Sequence, residues 1–187
     1  MVKVFIKEIT DINADEIQKI IESLSAPARA RLDKKKNESL RLASLCALSL
    51  LTEAERRNLD YSTGGRPFFK TLDADISISH SQNYIAVAIS SSREEPVGVD
   101  IEDASPAPER YSRFFTESER ASVQGGAREI EIWTKKEALF KHLKNDGISF
   151  ITLDTTKSSV CFTTVDLGAS ILTVCTQQDA KIEIIKK

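Results

Sequence analysis

The chain contains 187 residues, 41% of them hydrophobic and 29% charged, an ordinary composition for a globular protein of one domain or two small lobes. Its net charge of −2 argues against a nucleic-acid-binding protein. Charged residues begin at Lys3, too early for a signal peptide, and no apolar run approaches the roughly 18 residues that cross a bilayer. We therefore expect a cytoplasmic protein with no nucleic-acid and no membrane partner.

The spacing of apolar residues predicts the same order of elements in both halves of the chain. The first half should contain a strand over 2–9, helices over 13–24 and 38–57, and strands over 76–79 and 84–90. The second half should contain a strand over 97–102, helices over 109–124 and 128–144, and strands over 160–165, 170–176 and 182–185. This order predicts an α+β fold, a pseudo-dimer of two similar lobes joined near 91–96. No sequence repeat accompanies it, so one continuous α+β domain is the alternative.

The cysteines indicate a reducing compartment. The chain has an odd number of cysteines, Cys46, Cys161 and Cys175, and no two of them have Cys-x-x-Cys spacing. We interpret them as reduced, packed side chains. With only two histidines and no clustered thiols, a zinc site is not expected.

Two acidic side chains point the same way from the strand predicted over 97–102. Apolar residues alternate with others there, so Asp100 and Glu102 share one face. Residues two apart on a strand lie about 6.5–7 Å apart, which lets both carboxylates reach one divalent ion at about 2.1 Å per bond. Without an ion the two charges would repel each other, and each carboxylate would favour protonation.

The helix predicted over 128–144 carries a lysine within its apolar stripe. The stripe is formed by Ile132, Trp133, Leu139, Phe140 and Leu143. Lys136 falls inside it, Glu137 flanks it, and Lys141 lies one turn beyond Glu137. A lysine in such a stripe is unfavourable unless its ammonium meets an anion, for which a phosphate at the rim of the core is suitable. The alternative is an ordinary amphipathic helix with a snorkelling lysine and a Glu137–Lys141 surface pair.

A basic cluster precedes the helix predicted over 38–57. Its members are Arg29, Arg31, Lys34, Lys35 and Lys36. A basic run is often only a solvated face, but this one is also a candidate phosphate-binding surface. Arg41 lies on the leucine-rich helix itself and needs a partner, most simply a carboxylate or a phosphate.

Four short motifs in order make the chain recognisable. They are Gly65-Arg66-Pro67, Ser79-His80-Ser81, Gly98-x-Asp100-x-Glu102, and Trp133-x-x-Lys136-Glu137-Ala-x-x-Lys141. Over residues 29–150 the chain resembles the 4'-phosphopantetheinyl transferases, specifically their larger single-chain, Sfp-like type. The resemblance implies a duplicated α+β fold with the active site in the cleft between the lobes.

The implied reaction moves the 4'-phosphopantetheine arm of coenzyme A to a serine hydroxyl of an acyl or peptidyl carrier protein and releases 3',5'-ADP. By the same resemblance, Mg²⁺ is bound by Asp100, Glu102 and Glu137. Glu137 is also the candidate base, while Lys141, and with it Lys136, stabilises charge on the leaving phosphate. The sequence does not separate the ligand role of Glu137 from its role as base.

Coenzyme A is expected to contact residues of both halves. The resemblance assigns this role to Lys34, Arg41, Arg66, Ser79, His80 and Lys141. The choice among Lys34, Lys35 and Lys36 is left open. Residues 1–94 would then form the coenzyme-binding lobe and residues 95–187 the catalytic lobe, and a chain that holds the whole site could act as a monomer.

Other interpretations of particular residues are open. Glu119 matches a family segment between the two signatures, but we favour it as the partner of Thr116 in a helix capping box. His142 should only complement a helix dipole. After Lys141 the family usually continues with a glycine-rich turn, whereas here only Gly147 follows. Two other classes of protein stay possible: a non-catalytic coenzyme A-binding module, and a structural α+β interaction protein.

Overall fold

The computed structural model describes residues 1–104, 111–144, 147–178 and 180–187. The fold is mixed α+β. The elements of the first half are β1 (Val2–Glu8), α1 (Ala14–Ser23), α2 (Ala26–Asp33), α3 (Glu38–Ser49), α4 (Glu53–Asn58), β2 (Leu59–Tyr61), β3 (Pro67–Phe69), β4 (Ile76–His80) and β5 (Tyr84–Ser90). Those of the second half are β6 (Gly98–Asp103), α5 (Glu117–Gln124), α6 (Glu129–His142), β7 (Cys161–Asp166), β8 (Ser170–Thr176) and β9 (Ile182–Lys186).

The strands form two principal sheets and one short pair. The first sheet has the order β4-β5-β1-β9, in which only the β1–β9 pair is parallel. The second has the order β6-β8-β7 and is antiparallel. β2 and β3 pair with each other. The last strand therefore joins the sheet of the first half, across the boundary predicted after residue 94, and the division into two lobes stays a prediction.

The first sheet buries both faces. Ile85 and Val87 of β5 pack into the core cluster that α1, α2 and α3 form with β2 and β3, whereas Ala86 and Ala88 pack with β6 and β8. Alternation of side chains along β6 then puts Val99 against the first sheet and Gly98 against α6. The candidate site residues thus lie on the face of β6 that meets α6.

Side-chain caps set where the helices begin. The helix predicted over 38–57 is two helices, because Thr52 and Glu55 form a capping box that starts α4. The helix predicted over 109–124 begins only at Glu117, after a 3-10 turn at Ser112–Phe114, and residues 109–110 lie outside the described residues. The capping box of Thr116 with Glu119 that starts α5 is confirmed.

The remaining predicted strands and helices are confirmed within a few residues, but α2, β2 and β3 were not predicted. Of the cysteines, Cys46 and Cys175 are buried as expected, whereas Cys161 is exposed. His142 is buried as well, and burial lowers its pKa, which disfavours the charged form that would complement the helix dipole. Within the described ranges, no helix combines the length and apolarity needed to cross a membrane.

Candidate functional site

The candidate site lies where β6 packs against α6. Gly98 permits this contact, because a Cβ there would stand 1.9 Å from the carbonyl oxygen of Ala138 and 2.7 Å from the backbone nitrogen of His142. Only a residue without a side chain lets the helix backbone come so near the strand. The glycine of the first signature therefore sets the separation between Asp100 on the strand and Glu137 on the helix.

Asp100 is buried at this contact, with 3% of its surface exposed. Its Oδ1 accepts hydrogen bonds from the Ser79 hydroxyl and from Lys141 Nζ, both at 2.7 Å. Its Oδ2 is also buried and has no hydrogen-bond partner among the residues that the structure describes. A buried carboxylate oxygen without a donor is unfavourable. Oδ2 is therefore a candidate ligand atom for a bound cation.

Glu102 is held by the tryptophan of the second signature. Trp133 Nε1 donates to Glu102 Oε1 at 3.2 Å. The indole ring stacks on Tyr111, with ring centroids 4.4 Å apart, which fixes its orientation. The two signatures are therefore joined by a side-chain hydrogen bond as well as by backbone packing.

Asp100, Glu102 and Glu137, which we call the carboxylate cluster, influence one another electrostatically. Burial raises the pKa of Glu102 to about 7, and the negative charge of Asp100 adds to this effect. The same two causes raise the pKa of Glu137 to about 7. Like charges raise each other's pKa only when they lie close together. Near neutral pH the cluster can thus take up either protons or a cation.

The carboxylate cluster has donor atoms suited to a hard cation, but they are not assembled around a metal position. Among the described residues, no three His, Cys, Asp or Glu side chains are grouped so that they could hold a metal ion. Lys141 and Trp133 instead occupy one oxygen each of Asp100 and Glu102. Carboxylate oxygens, one of them buried and unpartnered, fit the preferences of Mg²⁺. The predicted metal ligands stay a prediction.

Lys141 lies beside the carboxylate cluster. Its Nζ donates to Asp100 Oδ1 at 2.7 Å, to Ser79 Oγ at 3.0 Å and to the carbonyl oxygen of Val99 at 3.1 Å. All three ammonium protons therefore have acceptors. The side chain is 24% exposed, so a ligand can reach it.

Lys136 does not join this site. Its side chain is fully buried, and its Nζ donates to Glu119 Oε2 at 2.8 Å and to the carbonyl oxygen of Leu153. Glu119 Oε1 in turn accepts from the backbone and the hydroxyl of Thr155. These bonds connect α6 with α5 and the following segment, and removal of one partner would leave an uncompensated buried charge. The geometry gives no support to a catalytic role for Lys136.

A second feature, which we call the basic cavity, has a volume of about 210 Å³ and is lined in part by Arg31, Lys35, Tyr61 and His80. The Arg31 guanidinium lies 4.5 Å from the centre of the Tyr61 ring. Burial and the positive charge of Arg31 lower the pKa of Lys35. Desolvation by neighbouring groups and the positive charge of Lys35 likewise lower the pKa of His80, although this residue is exposed overall. An anion in this cavity would relieve repulsion among three basic groups.

The other predicted coenzyme-binding residues lie elsewhere. Lys34 and Lys36 are exposed and do not line the basic cavity, so Lys35 is the lysine of the three that faces it. Arg41 Nη1 donates to a backbone carbonyl of α2 at 3.0 Å and lies 3.9 Å from Asp33. The partner that we expected for Arg41 is therefore supplied by the chain itself.

Arg66 also has internal partners. Its Nη2 donates to Asp75 Oδ2 at 2.7 Å, and its Nη1 donates to the carbonyl oxygen of Lys141. The Arg66 and Asp75 side chains are only 11% and 7% exposed. The arginine thus ties the Gly-Arg-Pro turn to the end of α6, at the residue whose side chain reaches Asp100.

Asp75 was missed as a site residue, and Arg31 was named only as one member of the basic cluster. The signal for Arg31 was Ser25 followed by Pro27, an N-cap and a first-turn proline that together predict α2. With α2 recognised, Arg31 and Lys35 would have been placed about one turn apart. For Asp75 no local signal exists, because a single aspartate before a strand is common.

A search of curated proteins finds no match to the chain. The family comparison does find one, and it covers β6, α6 and the entire carboxylate cluster, but none of the basic cavity. Residues 96–183 match the family model of the 4'-phosphopantetheinyl transferase superfamily, and this part of the chain is a domain of that superfamily.

Proposed function

We propose that this protein transfers the 4'-phosphopantetheine arm of coenzyme A to a serine hydroxyl of an acyl or peptidyl carrier protein, in a Mg²⁺-dependent reaction that releases 3',5'-ADP. The observation that carries the proposal is the carboxylate cluster beside Lys141, inside a superfamily domain. The unpartnered Asp100 Oδ2 adds to it, because a buried free carboxylate oxygen suits a cation ligand.

Asp100, Glu102 and Glu137 would hold the ion. When bound, Mg²⁺ supplies charge neutralisation for the pyrophosphate of coenzyme A. In the transfer, the serine oxygen bonds to the phosphorus of the phosphopantetheine group, and the bond from that phosphorus to the oxygen shared with the leaving group breaks. The serine proton passes to Glu137, the candidate base. Lys141 stabilises the charge that develops on 3',5'-ADP.

The basic cavity is our candidate site for the phosphates of the coenzyme. It supplies the cations of Arg31 and Lys35 and the imidazole of His80, and His80 follows Ser79 directly in β4, so the cavity and the carboxylate cluster are neighbours. We assign coenzyme binding to Arg31 and Lys35 in preference to Lys34, which does not line the basic cavity. Arg66 and Arg41 shape the surroundings through their internal partners.

We further propose the two-lobed, Sfp-like form, with a cytoplasmic monomer. Each half has its own principal sheet and helices, which supports two lobes, although β9 would then be exchanged into the first. The exposed free Cys161 agrees with a reducing compartment.

The test is a mass measurement. The protein is incubated with coenzyme A, Mg²⁺ and a panel of apo carrier proteins, and each carrier is weighed for the added arm. We expect conversion of at least one carrier, dependent on Mg²⁺. Asp100→Asn keeps the size of the side chain but removes its charge, and it should abolish conversion while the circular dichroism spectrum stays unchanged.

Calorimetry with coenzyme A separates the alternatives. A protein that binds coenzyme A but converts no carrier would be a non-catalytic module. One that neither binds nor converts would be a structural protein, and the proposed function would be refuted.

A further inference from the structure

Ser79 lies at the point where the first sheet meets the carboxylate cluster. It is 9% exposed, and it belongs to β4, where it pairs with Ala86 of β5. Its hydroxyl donates to Asp100 Oδ1 at 2.7 Å and accepts from Lys141 Nζ at 3.0 Å. One side chain of the first half therefore contacts both a candidate metal ligand and the lysine beside it.

A hydroxyl has a single proton, and this one is directed to Asp100. The Ser79 side chain therefore cannot donate to a coenzyme phosphate at the same time, which was the role that the resemblance implied. Its backbone is also engaged, because β4 and β5 pair through this position. The role of the Ser79 side chain must therefore be inferred from the two groups that it contacts, Asp100 and Lys141.

We propose that Ser79 is a positioning residue, whose hydroxyl fixes the orientation of Asp100 so that Oδ1 is held by the protein and Oδ2 is left free for a divalent cation. The proposal rests on the proposed function, because it assigns the cation to the same carboxylate cluster. It goes beyond that function by naming a residue outside the matched domain that prepares the metal ligand.

Lys141 alone could not fix the carboxylate. Its ammonium sits on a flexible four-carbon stem and must also serve the phosphate that leaves. The serine hydroxyl sits on a short side chain of a paired strand, so its position is set by the backbone. If Lys141 turns towards a ligand, the bond from Ser79 still holds Asp100 Oδ1. Second contacts of this kind are typical of metal sites, where their loss lowers metal affinity by about 10- to 100-fold.

The chain offers a matched control in Ser77. It lies two residues away on the same strand, is 2% exposed, and also bonds to β6. Its Oγ accepts from the backbone nitrogen of Val99 at 3.0 Å and not from a carboxylate. Ser77→Ala thus removes a buried bond between the same two strands without touching Asp100.

The experiment measures Mn²⁺ binding by electron paramagnetic resonance, in the presence of coenzyme A, for the full chain and its variants. We expect the Kd for Mn²⁺ to rise about 10- to 100-fold in Ser79→Ala. Ser77→Ala should bind Mn²⁺ as the unaltered protein does, even if it melts at a lower temperature. Ser79→Thr, which restores a hydroxyl, should recover most of the affinity.

The possible results separate the two proposals. If Ser79→Ala binds Mn²⁺ as tightly as the unaltered protein, or if Ser77→Ala loses as much affinity, Ser79 is only structural, while the transferase proposal stands on the carrier assay. If the unaltered protein neither binds Mn²⁺ nor converts a carrier, both proposals fail together. Should Ser79→Ala not fold, Ser79→Cys keeps the volume with a weak donor and takes its place, with the same expected loss.

Discussion

Replacing Gly98 by alanine tests the contact on which the candidate site is built. The added Cβ would stand 1.9 Å from the carbonyl oxygen of Ala138, and backbone atoms of α6 cannot yield as a flexible side chain would. The helix would have to retreat from β6 by roughly 1.5 Å, the difference between that separation and the 3.4 Å at which ordinary van der Waals contact begins. α6 carries Glu137 and Lys141, so both would move away from Asp100.

The expected effects follow from this displacement. Overpacking of a core costs about 1–3 kcal/mol, and a clash between the added Cβ and the backbone of α6 belongs at the upper end. For a chain of this size, each kcal/mol lowers Tm by about 2–4 °C, so Gly98→Ala should melt about 6–12 °C below the unaltered protein. A displacement of about 1 Å of reacting groups costs about 10²-fold in rate, and we expect at least that loss of carrier conversion.

Thermal melts followed by circular dichroism, together with the carrier assay, measure both effects. Gly125→Ala is the control: this glycine has φ −79°, and an added Cβ would lie 3.5 Å from its nearest neighbouring atoms, so alanine fits. It should melt near the unaltered protein and convert carrier at the same rate. A Gly98→Ala protein that melts with the control and retains its rate would show that β6 and α6 are not in the contact described.

Three further predictions concern charged groups. Lys136→Met leaves the buried carboxylate of Glu119 without its cation and should lower the free energy of unfolding, measured in urea, by about 3–5 kcal/mol. Adding Glu119→Gln should recover part of this loss. Equal stability of Lys136→Met and the unaltered protein would contradict the buried pair. The two glutamates of the carboxylate cluster have pKa values of about 7 in the folded protein, compared with the ordinary value of 4.5. At a pH between these two values, the folded protein therefore binds more protons than the unfolded chain. Tm of the metal-free protein should therefore fall as pH rises from about 4.5 to about 7, and Glu137→Gln should reduce this slope; an unchanged slope would refute the pKa assignment. Lys35→Ala should raise the Kd for coenzyme A, measured by calorimetry, about tenfold, because it removes a charged hydrogen bond. Lys34→Ala should leave this Kd unchanged. Equal effects of the two variants would exclude the basic cavity as the phosphate site.

Local patterns were sufficient to predict most of the strands. Apolar residues largely alternate with others along β1, β4 and β6, whereas β5 is a nearly continuous apolar run, and all four were predicted within a few residues of their observed ends. Helix boundaries depend on capping residues, and the spacing of apolar residues does not indicate where those caps lie. The leucines continue past Ser49, but Thr52 begins a new helix because its hydroxyl and the Glu55 carboxylate bond the free backbone groups of that turn.

Pairing between distant segments was not predictable from the same patterns. The alternation that marks β9 says nothing about its neighbour, and the strand pairs with β1 from the other end of the chain. The short strands β2 and β3 hold only three residues each, too few for a periodic signal. Such features are decided by tertiary packing.

The same limit applies to the candidate site: the sequence indicates that a buried charge requires a partner, but it does not indicate which residue supplies that partner. The sequence correctly indicated that a lysine in the apolar stripe of α6 requires an anion, but it did not identify that anion. A phosphate was expected for Lys136, whereas the carboxylate of Glu119, for which the cap was the favoured role, satisfies the cap and the lysine together. The same reasoning for Arg41 led to a partner in α2.

Strand β4 and the residue before it explain how residues outside the matched domain come to influence the predicted metal ligands. Three side chains at alternate positions along this edge, Asp75, Ser77 and Ser79, reach across to the segment that forms β6. Asp75 and Ser77 accept from backbone nitrogens at the start of that segment and fix its position, and Ser79 donates to the Asp100 carboxylate. Because a shift of one residue would turn all three side chains to the opposite face, the register of β4 on β5 controls the orientation of Asp100. The first half of the chain therefore contributes to the proposed chemistry through the geometry of the carboxylate cluster as well as through the basic cavity.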